Sequence, residues 1–384
     1  MEKLIVKNFG PIRHAEINLT KYVVFIGDTS TGKSVLAKLI SIFRDSYFLL
    51  LNSSDDFEVI FKNQLVKFNI DFEYKNSEIY YYDDNEKILT LKNNKIELVI
   101  KNHKLEFKKH LKKTNNQLLS KYSFSQFLEI DDKIYLDYLT DKIYEQLKSI
   151  YIPAERILYS LISDSMAGIM SNNIALPECY KEFASKLEIA RKSSKSYLYD
   201  DFNMEYSFSD GNNLLLINNY KLLLSQASTG IQSLLPMLLV FDNVILNHGL
   251  KTTKLFVIEE PELNLFPTKQ KKLIDYLISK VKNINHKIVI TTHSPYILSA
   301  LDTLILAKNT YNEHPEMKEK IIKIVSEDKW IDYNEISVYE VKNDGKVYSI
   351  KNDEYKSIDS NAIDSVSDII SNEFDELTTL RYVQ

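Results

Sequence analysis

Several short stretches of the sequence combine glycine, lysine, hydroxyl and carboxylate side chains in spacings suited to phosphate chemistry. Residues 27–34, Gly-Asp-Thr-Ser-Thr-Gly-Lys-Ser, fit the pattern GxxxxGK(S/T) at every required position. Gly27 and Gly32 allow a close backbone approach that a Cβ would block, so the loop's N–H groups can point at phosphate oxygens. Lys33 supplies a cation for the β- and γ-phosphates, and the Ser34 hydroxyl can ligate Mg²⁺. The expected nucleotide contacts are Gly27, Asp28, Thr29, Ser30, Thr31, Gly32, Lys33, Ser34 and Val35.

A second stretch delivers carboxylates at the end of an apolar run. Residues 255–258 are Leu-Phe-Val-Ile, and Glu259, Glu260, Pro261 and Glu262 follow them directly. A buried strand places such residues at its carboxyl end, where ligand sites of α/β proteins lie. We assign Glu259 to Mg²⁺ and Glu260 to the general base that deprotonates a water. A solvated acidic turn is the alternative, and the apolar residues on both sides argue against it.

Two further stretches offer polar groups beside these carboxylates. Residues 291–295, Thr-Thr-His-Ser-Pro, follow another apolar run, so His293 is expected beside the carboxylate strand. Its imidazole could hydrogen-bond the γ-phosphate or the attacking water, although a lone histidine is usually structural. Ser228, Thr229 and Gly230 open a strongly apolar helix, where Ser228 can cap the helix and the Gly230 amide can face an anion. Taken alone, this turn is better explained by helix capping.

The hydrophobic patterns predict the elements that position these groups. Short strands are expected at residues 3–6, 15–19 and 22–26, with a helix over 33–43. Alternating runs then predict an antiparallel β lobe, and residues 106–225 read as mainly helical with a strand at 150–153 and a hairpin at Gly211. From residue 226 the order helix, strand, helix, strand, helix indicates a parallel α/β core, and the tail adds two strands and an acidic helix. The remaining expected strands are at 57–61, 68–72, 78–82, 88–91, 96–100, 255–258, 287–291, 338–341 and 347–350, and helices are expected over 268–281 and from about 361.

Composition excludes several classes of protein. The 384 residues contain 8 glycines and 8 prolines, too few for a flexible linker array or a collagenous repeat. Cys179 is the only cysteine, which rules out an internal disulfide and a cysteine zinc site and fits a reducing, cytoplasmic compartment. Apolar runs such as 234–241 are far shorter than the ~20 residues of a membrane helix, so no membrane partner is expected. With a net charge of −5, no global field attracts nucleic acid.

In this order the four motifs resemble those of the head domain of ABC-type ATPases. The similarity is greatest to the AAA-family branch that contains the RecF, OLD and structural-maintenance-of-chromosomes (SMC) proteins. Residues 27–34 look like Walker A, 228–230 like the signature turn, and 255–259 like Walker B. Glu260 then corresponds to the catalytic glutamate and His293 to the switch histidine. This chain departs from the branch at two positions, since Phe266 stands where a histidine is common and Asn264 stands at the usual loop contact between subunits.

The resemblance also raises questions about individual residues that the sequence leaves open. Arg156 lies just after the strand that corresponds to the family's Q-loop strand, where it either senses phosphate or forms a surface ion pair with Glu155. Arg13 and His14 are candidate neighbours of the base or the α-phosphate.

The resemblance implies a fold and a function. The expected fold is α/β: an ABC-type P-loop ATPase head with a β-rich first lobe, a helical insertion and a RecA-like core. Expected domains are 1–105 (first lobe), 106–225 (insertion), 226–310 (second lobe) and 311–384 (an extension of the head). ATP and Mg²⁺ are the implied ligands, and two ATP molecules would be sandwiched in a homodimer or higher oligomer.

Three biological roles are compatible with such a head. The chain lacks heptads for a long coiled-coil arm and, after His293, any Asp-x-Asp pair of a fused nuclease. It is therefore similar to stand-alone ATPases of bacterial anti-phage systems, and a separate effector, a nuclease or a toxin, would act on its signal. The alternative is a RecF-like DNA-binding ATPase of repair, suggested by the basic run 108–113 with Lys101, Lys104 and Lys121, although a lysine-coated helix face explains that run as well. The nucleotide-binding subunit of a transporter is the third role, which the atypical signature disfavours.

Overall fold

A computed structural model describes residues 2–44, 57–83, 86–92, 95–98, 149–161, 176–193, 196–247, 254–359 and 365–382. Within these ranges the strands are β1 (Lys3–Phe9), β2 (Ile12–Asn18), β3 (Tyr22–Ile26), β4 (Glu78–Asp83), β5 (Glu86–Lys92), β6 (Lys95–Leu98), β7 (Ile150–Ile152), β8 (Ser196–Tyr199), β9 (Met204–Ser209), β10 (Asn212–Ile217), β11 (Tyr220–Leu223), β12 (Leu255–Glu259), β13 (Lys287–Thr292), β14 (Ile336–Val341), β15 (Val347–Ser349), β16 (Lys351–Asn352) and β17 (Ser357–Ile358). The α-helices are α1 (Lys33–Arg44), α2 (Phe57–Lys67), α3 (Ile157–Leu161), α4 (Glu178–Ser193), α5 (Thr229–Asn247), α6 (Pro267–Val281), α7 (Pro295–Glu313), α8 (Lys318–Ile324) and α9 (Ser365–Tyr382).

The central sheet brings the carboxyl ends of the motif-bearing strands together. Its order is β15-β14-β3-β13-β12-β7, and β3, β7, β12, β13 and β14 pair in parallel. The register places Ile26, the residue before the P-loop, beside Thr292, and Thr291 beside Glu259. The polar residues that follow β3, β12 and β13 therefore all lie at the carboxyl end of the sheet, where ligand sites of parallel sheets occur.

Both faces of the central sheet are covered, which explains its continuous apolar strands. In β3, Val23 and Phe25 pack into one core together with α1 and the antiparallel sheet, whereas Val24 and Ile26 pack into the other. That second core contains the buried faces of α5, α6 and α7. The arrangement confirms the expected α/β class.

Helix α5 carries the predicted signature turn and belongs to this second core. Its window Thr229–Leu246 is long and apolar enough to cross a membrane, but 72% of the window is buried inside the protein. A core helix passes the same length and composition test, so this is weak support for a membrane span.

The first antiparallel sheet corrects the expectation for residues 57–72. Its order is β2-β1-β4-β5-β6, which confirms strands at 78–82 and 88–91. Residues 57–61, predicted as a strand, instead begin helix α2, and 68–72 forms no strand. The buried side chains Phe61, Leu65 and Phe68 recur at i, i+4 and i+7, which is a helical spacing, and an ion pair joins Glu58 to Lys62 across one turn (2.7 Å).

A second antiparallel sheet corrects the expectation that residues 106–225 are mainly helical. Helices α3 and α4 fit the prediction, but β8 to β11 form a four-stranded meander in which the predicted hairpin at Gly211 is the middle turn. Asn218 and Asn219 both have positive φ (49° and 67°), as do Asp210 and Gly211 (53° and 80°). Such residue pairs favour two-residue hairpin turns, so the turn signal was present in the sequence. The residues from 106 to 148, including the basic run 108–113, lie outside the described part of the chain.

Candidate nucleotide site

The P-loop is held in shape from two sides. Gly27 has φ 155°, and a Cβ there would lie 2.2 Å from the backbone oxygen of Val341. At Gly32, with φ 107°, a Cβ would lie 2.5 Å from Ile12 Cδ1. Gly27 is therefore required by a backbone approach as well as by its torsion, whereas at Gly32 the positive φ is the stronger requirement, because the end of the Ile12 side chain can move. The Thr31 hydroxyl closes the loop by donating to the backbone oxygen of Asp28 (3.0 Å).

Lys33 opens α1 and turns its ammonium back over the loop. Nζ donates to the backbone oxygens of Gly27 (2.9 Å) and Asp28 (2.7 Å), and the residue is only 5% exposed. Burial lowers the pKa of Lys33, and the carboxylates of Glu260 and Asp28 oppose that shift. A cation lies at the loop as the sequence predicted.

Glu259 ends β12 as a buried carboxylate suited to a hard cation. The residue is 4% exposed, and burial raises the pKa of Glu259, opposed by Lys38 and by the hydroxyls of Tyr151 and Ser34. Among the described residues, neither Oε1 of Glu259 nor the buried hydroxyl of Thr291, its neighbour in the sheet register, has a hydrogen-bond partner of good geometry. Carboxylate and hydroxyl oxygens are ligands that suit Mg²⁺, so Glu259 and Ser34 fit the metal that the resemblance implies.

Glu260 adopts a backbone conformation that is rare for a residue with a side chain. Its φ is 42°, in the left-handed region. The Glu260 N–H donates to the backbone oxygen of Thr291 (2.9 Å), and the Glu260 carbonyl accepts from Leu263 N (3.1 Å) and Arg156 Nη2 (2.7 Å). These bonds fix the conformation that turns the chain at the end of the strand.

His293 contacts one residue of the P-loop motif and one of the carboxylate motif, which the sequence places only at the same end of the sheet. Its Nε2 lies 3.3 Å from Glu260 Oε1, and its Nδ1 lies 3.4 Å from Lys33 Nζ. These contacts fit a ring whose Nδ1 accepts from the ammonium and whose Nε2 donates to the carboxylate. Lys33, Glu260 and His293, predicted from separate stretches, therefore form one contiguous group.

Glu262 has a role that the sequence analysis did not assign. Its Oε1 accepts from the Thr292 hydroxyl (2.6 Å) and from the His293 N–H (2.8 Å). Burial raises the pKa of Glu262, and these hydrogen bonds oppose the shift. In the sequence only the run Glu-Glu-Pro-Glu marks Glu262 as a candidate, and the sequence does not predict its contact with Thr292, 30 residues away.

For the nucleotide hydrolysis that the motifs predict, we expect Glu262→Ala to slow the rate about tenfold, because His293 loses the acceptor that orients its backbone. The O–H of the fully buried Thr292 also loses its acceptor, although its oxygen still accepts from the Ser294 N–H (2.9 Å), at a cost of about 1–3 kcal/mol of unfolding free energy. Glu262→Gln keeps one acceptor oxygen and is the matched control, expected near the wild-type rate. Single-turnover hydrolysis and thermal unfolding measure the two effects, and equal rates for both variants would contradict the assignment.

The predicted signature turn contacts the loop that follows β12. Gly230 packs on the loop after Walker B, where an added Cβ would lie 2.6 Å from the backbone oxygen of Asn264. The Ser228 carbonyl accepts from Gln232 N (2.9 Å), as at the start of a helix. In the described part of the chain, no hydrogen bond joins residues 228–230 to residues 27–34.

Arg156 corrects both interpretations that the sequence left open. The residue is 0% exposed, so it forms no surface ion pair with Glu155. Each of its five N–H groups donates to a backbone carbonyl, which leaves no donor for a phosphate.

Arg13 and His14 are exposed and lie beside the carboxyl-terminal turn 342–346, where Arg13 N donates to the Gly345 carbonyl (2.8 Å). The same turn reaches the P-loop, since Asn343 Nδ2 lies 3.5 Å from Asp28 Oδ2. A role of Arg13 and His14 toward the nucleotide stays a prediction.

Comparisons with known proteins identify the sequence family. A family model described as an AAA ATPase domain matches residues 1–155 and 156–298, more than half of the chain. The match confirms the AAA-family ATPase expected from the motifs. No curated protein matches the sequence at a significant level.

Solved structures include distant matches. An SMC head domain from Thermotoga maritima has 13% identity and a TM-score of 0.38, and the match covers 78% of this chain and 90% of that one. An SMC head bound to the C-terminal winged-helix domain of ScpA has 10% identity and a TM-score of 0.40, with 91% and 96% covered. The ATP-binding cassette MJ0796, a dimer bound to ADP and phosphate, has 14% identity and a TM-score of 0.34, with 92% and 100% covered. Because these TM-scores lie below 0.5, the family assignment rests on the sequence match.

Proposed function

Because the chain belongs to the AAA ATPase domain family, we propose that it binds Mg-ATP at the P-loop and hydrolyses it to ADP and phosphate. The observation that carries this proposal is the contact of His293 with both Lys33 and Glu260. It joins a phosphate-binding cation to a carboxylate able to accept a proton, within hydrogen-bond reach of one imidazole.

Each residue of the group has a proposed task. The P-loop amides and Lys33 bind the β- and γ-phosphates, and Ser34 and Glu259 would hold Mg²⁺. When bound, Mg²⁺ neutralises the charge that develops on the phosphate oxygens. Glu260 accepts the proton of the attacking water, while His293 donates from Nε2 to Glu260 and so orients its carboxylate.

Phosphate release from ATP by the purified chain tests this function. We expect hydrolysis that requires Mg²⁺ and stops when the metal is chelated with EDTA. Failure of the wild-type chain to release phosphate from saturating Mg-ATP, in the presence and absence of double-stranded DNA, would contradict the proposal.

We also propose that ATP is sandwiched in a homodimer or higher oligomer. Support comes from the family resemblance, in which the signature turn completes the ATP site of another subunit, and from the lack of any hydrogen bond between residues 228–230 and the P-loop in the described part of this chain. The exposed side chain of Phe266 (73%) lies next to the loop of Asn264 on which Gly230 packs.

Gly230→Ala is expected to separate ATP binding from dimer formation. The added Cβ meets the Asn264 carbonyl, so the turn must shift, while the P-loop of the same chain is untouched. Mg-ATP affinity should stay within about threefold, and ATP-dependent dimers should be lost in light scattering of the Glu260→Gln background. Gly211→Ala is the control: its added Cβ meets nothing within 4 Å, its φ of 80° strains only the hairpin turn between β9 and β10, and the variant should leave the dimer intact. A Gly230→Ala protein that dimerises like the control would refute the role of the turn.

For the biological role we propose control of a separate effector, a nuclease or toxin, in bacterial anti-phage defence within the cytoplasm. The support is the resemblance to stand-alone defence ATPases. The neighbouring reading frame identifies the effector, and co-expression with it should give phage resistance that Lys33→Ala abolishes. The alternative, a RecF-like repair ATPase, requires hydrolysis that double-stranded DNA stimulates in a salt-dependent manner.

A further inference from the structure

The guanidinium of Arg156 is the centre of an unusual buried contact. Arg156 ends the short turn Ala154–Arg156 after β7 and is completely buried. Its five N–H groups all donate to backbone carbonyls: Nε to Ser233 (3.0 Å), Nη1 to Pro153 (3.1 Å) and Glu259 (2.7 Å), and Nη2 to Glu260 (2.7 Å) and Pro261 (3.3 Å).

This cation is held without an ion pair. Among the described residues no carboxylate oxygen lies within salt-bridge distance of Arg156. Burial lowers the pKa of Arg156 to about 10, opposed by the nearby charges of Glu262, Glu260 and Glu259, so the group stays charged at neutral pH. A buried charge is costly unless fully hydrogen-bonded, and here the bonds orient backbone rather than neutralise a side chain.

Three of these bonds hold the backbone at the carboxyl end of β12, where Glu260 has a left-handed φ. Arg156 binds the carbonyls of Glu259, Glu260 and Pro261, one residue before and one residue after the left-handed φ of Glu260. Such a conformation persists only where the surroundings impose it. The planar fork of the guanidinium imposes the direction of successive carbonyls, and the side chain of Glu260 projects from that backbone.

The remaining long-range bond leads to the signature helix. Ser233 lies one turn after Gly230 in α5, and its carbonyl accepts from Arg156 Nε. A second bond runs in parallel, from the hydroxyl of Ser160 in α3 to the carbonyl of Gln232 (2.6 Å). The turn Ala154–Arg156 thus connects the first turns of α5 to the backbone of Glu260 through the Arg156 side chain.

We propose that Arg156 is a positioning residue for hydrolysis, which holds Glu260 in its working conformation and ties that conformation to the position of the signature helix. This inference rests on the proposed ATPase function. In a sandwich dimer the signature turn serves the partner's nucleotide while Glu260 serves its own, so Arg156 connects the two sites. Because the guanidinium touches backbone only, it contributes to the rate and not to ATP binding.

Arg156→Lys is the informative variant, because an ammonium keeps the charge but has three donors and no planar fork. We expect Mg-ATP affinity within threefold of wild type, a kcat at least thirtyfold lower, and amide hydrogen exchange across 259–263 at least tenfold faster. Lys351→Met is the matched control: it removes a cation that also binds two backbone carbonyls, of Tyr333 and Ile336, away from the motifs. The control should alter neither kcat nor that exchange.

The outcomes separate this inference from the function on which it rests. A kcat within threefold of wild type, or unchanged exchange at 259–263, overturns the role of Arg156 even if the enzyme is an ATPase. Absence of hydrolysis by the wild-type chain contradicts the proposed function, whereas amide exchange still decides whether Arg156 holds the backbone of Glu260.

A measurement on the wild-type chain covers the case in which the variant does not fold. The sequence contains five arginines, so ¹⁵N-arginine labelling gives five Nε–H signals, and that of the fully buried Arg156 should exchange slowest. We expect this signal to shift when Mg-ATP binds. A signal that stays in place at saturating Mg-ATP would overturn the connection between Arg156 and the site.

Discussion

Glu260→Gln is expected to bind Mg-ATP normally and to hydrolyse it at least a hundredfold more slowly than the wild-type chain. Glutamine keeps the size of the side chain and an oxygen that can accept from His293 Nε2, which lies 3.3 Å from Glu260 Oε1. It cannot take a proton from the attacking water, and loss of a general base costs about 10²–10⁴ in rate. Single-turnover phosphate release measures the effect.

The same variant should trap the dimer, since unhydrolysed ATP continues to hold two heads together. Light scattering with saturating Mg-ATP should report about twice the monomer mass of 44.8 kDa. Glu155→Gln, at an exposed carboxylate of the neighbouring turn, is the matched control and should hydrolyse ATP normally. A Glu260→Gln protein that remains monomeric with Mg-ATP would contradict the proposal that ATP is sandwiched between two heads. Near-normal hydrolysis would contradict the assignment of Glu260 as the general base.

Lys33→Ala is expected to abolish measurable nucleotide binding. The ammonium is 5% exposed and lies on the carbonyls of Gly27 and Asp28, at the centre of the loop that would surround the phosphates. Its loss removes the only lysine of the P-loop and leaves the amides alone against several negative charges. We expect affinity for Mg-ATP to fall at least a hundredfold, about 2.7 kcal/mol, in titrations with a fluorescent ATP analogue.

Stability provides a check on this variant. Burial lowers the pKa of Lys33, which means that the folded protein disfavours the charged form. Replacing the lysine should therefore leave the unfolding temperature close to that of wild type. Lys271→Ala, which removes an exposed lysine paired with Asp275 (2.7 Å), is the control and should bind ATP unchanged. Unaltered ATP affinity of Lys33→Ala would refute the P-loop assignment.

The chemistry of the site was largely readable along the chain because its parts are local. The P-loop needs eight consecutive residues between a strand and a helix, and β3 (Tyr22–Ile26) ends where the apolar run predicted. Glu259 and His293 were placed at one edge because parallel strands end together, and the register of β12, β13 and β3 confirms that placement.

Secondary structure was misread where the signal depended on packing. Residues 57–61, Phe-Glu-Val-Ile-Phe, are too few to distinguish a strand from a helix, and the helical spacing appears only when Leu65 and Phe68, which pack in the same core as Phe61, are included. The sequence predicts the hairpin at Gly211 between β9 and β10 but not the outer strands β8 and β11, although Asn218 and Asn219 form a two-residue turn between β10 and β11.

The sequence by itself determined the P-loop, the carboxylate run and the histidine turn from which the phosphate, metal and proton contacts are proposed, because each motif extends over a few neighbouring positions. Only the tertiary structure decided the contacts between distant segments. His293 contacts Lys33 across 260 residues, and Glu262 accepts from the His293 N–H. Arg156 donates all five of its N–H groups to backbone carbonyls. A side chain's partners depend on which segments fold against it. The residue type and local sequence of a single arginine therefore do not predict whether it will be exposed or buried.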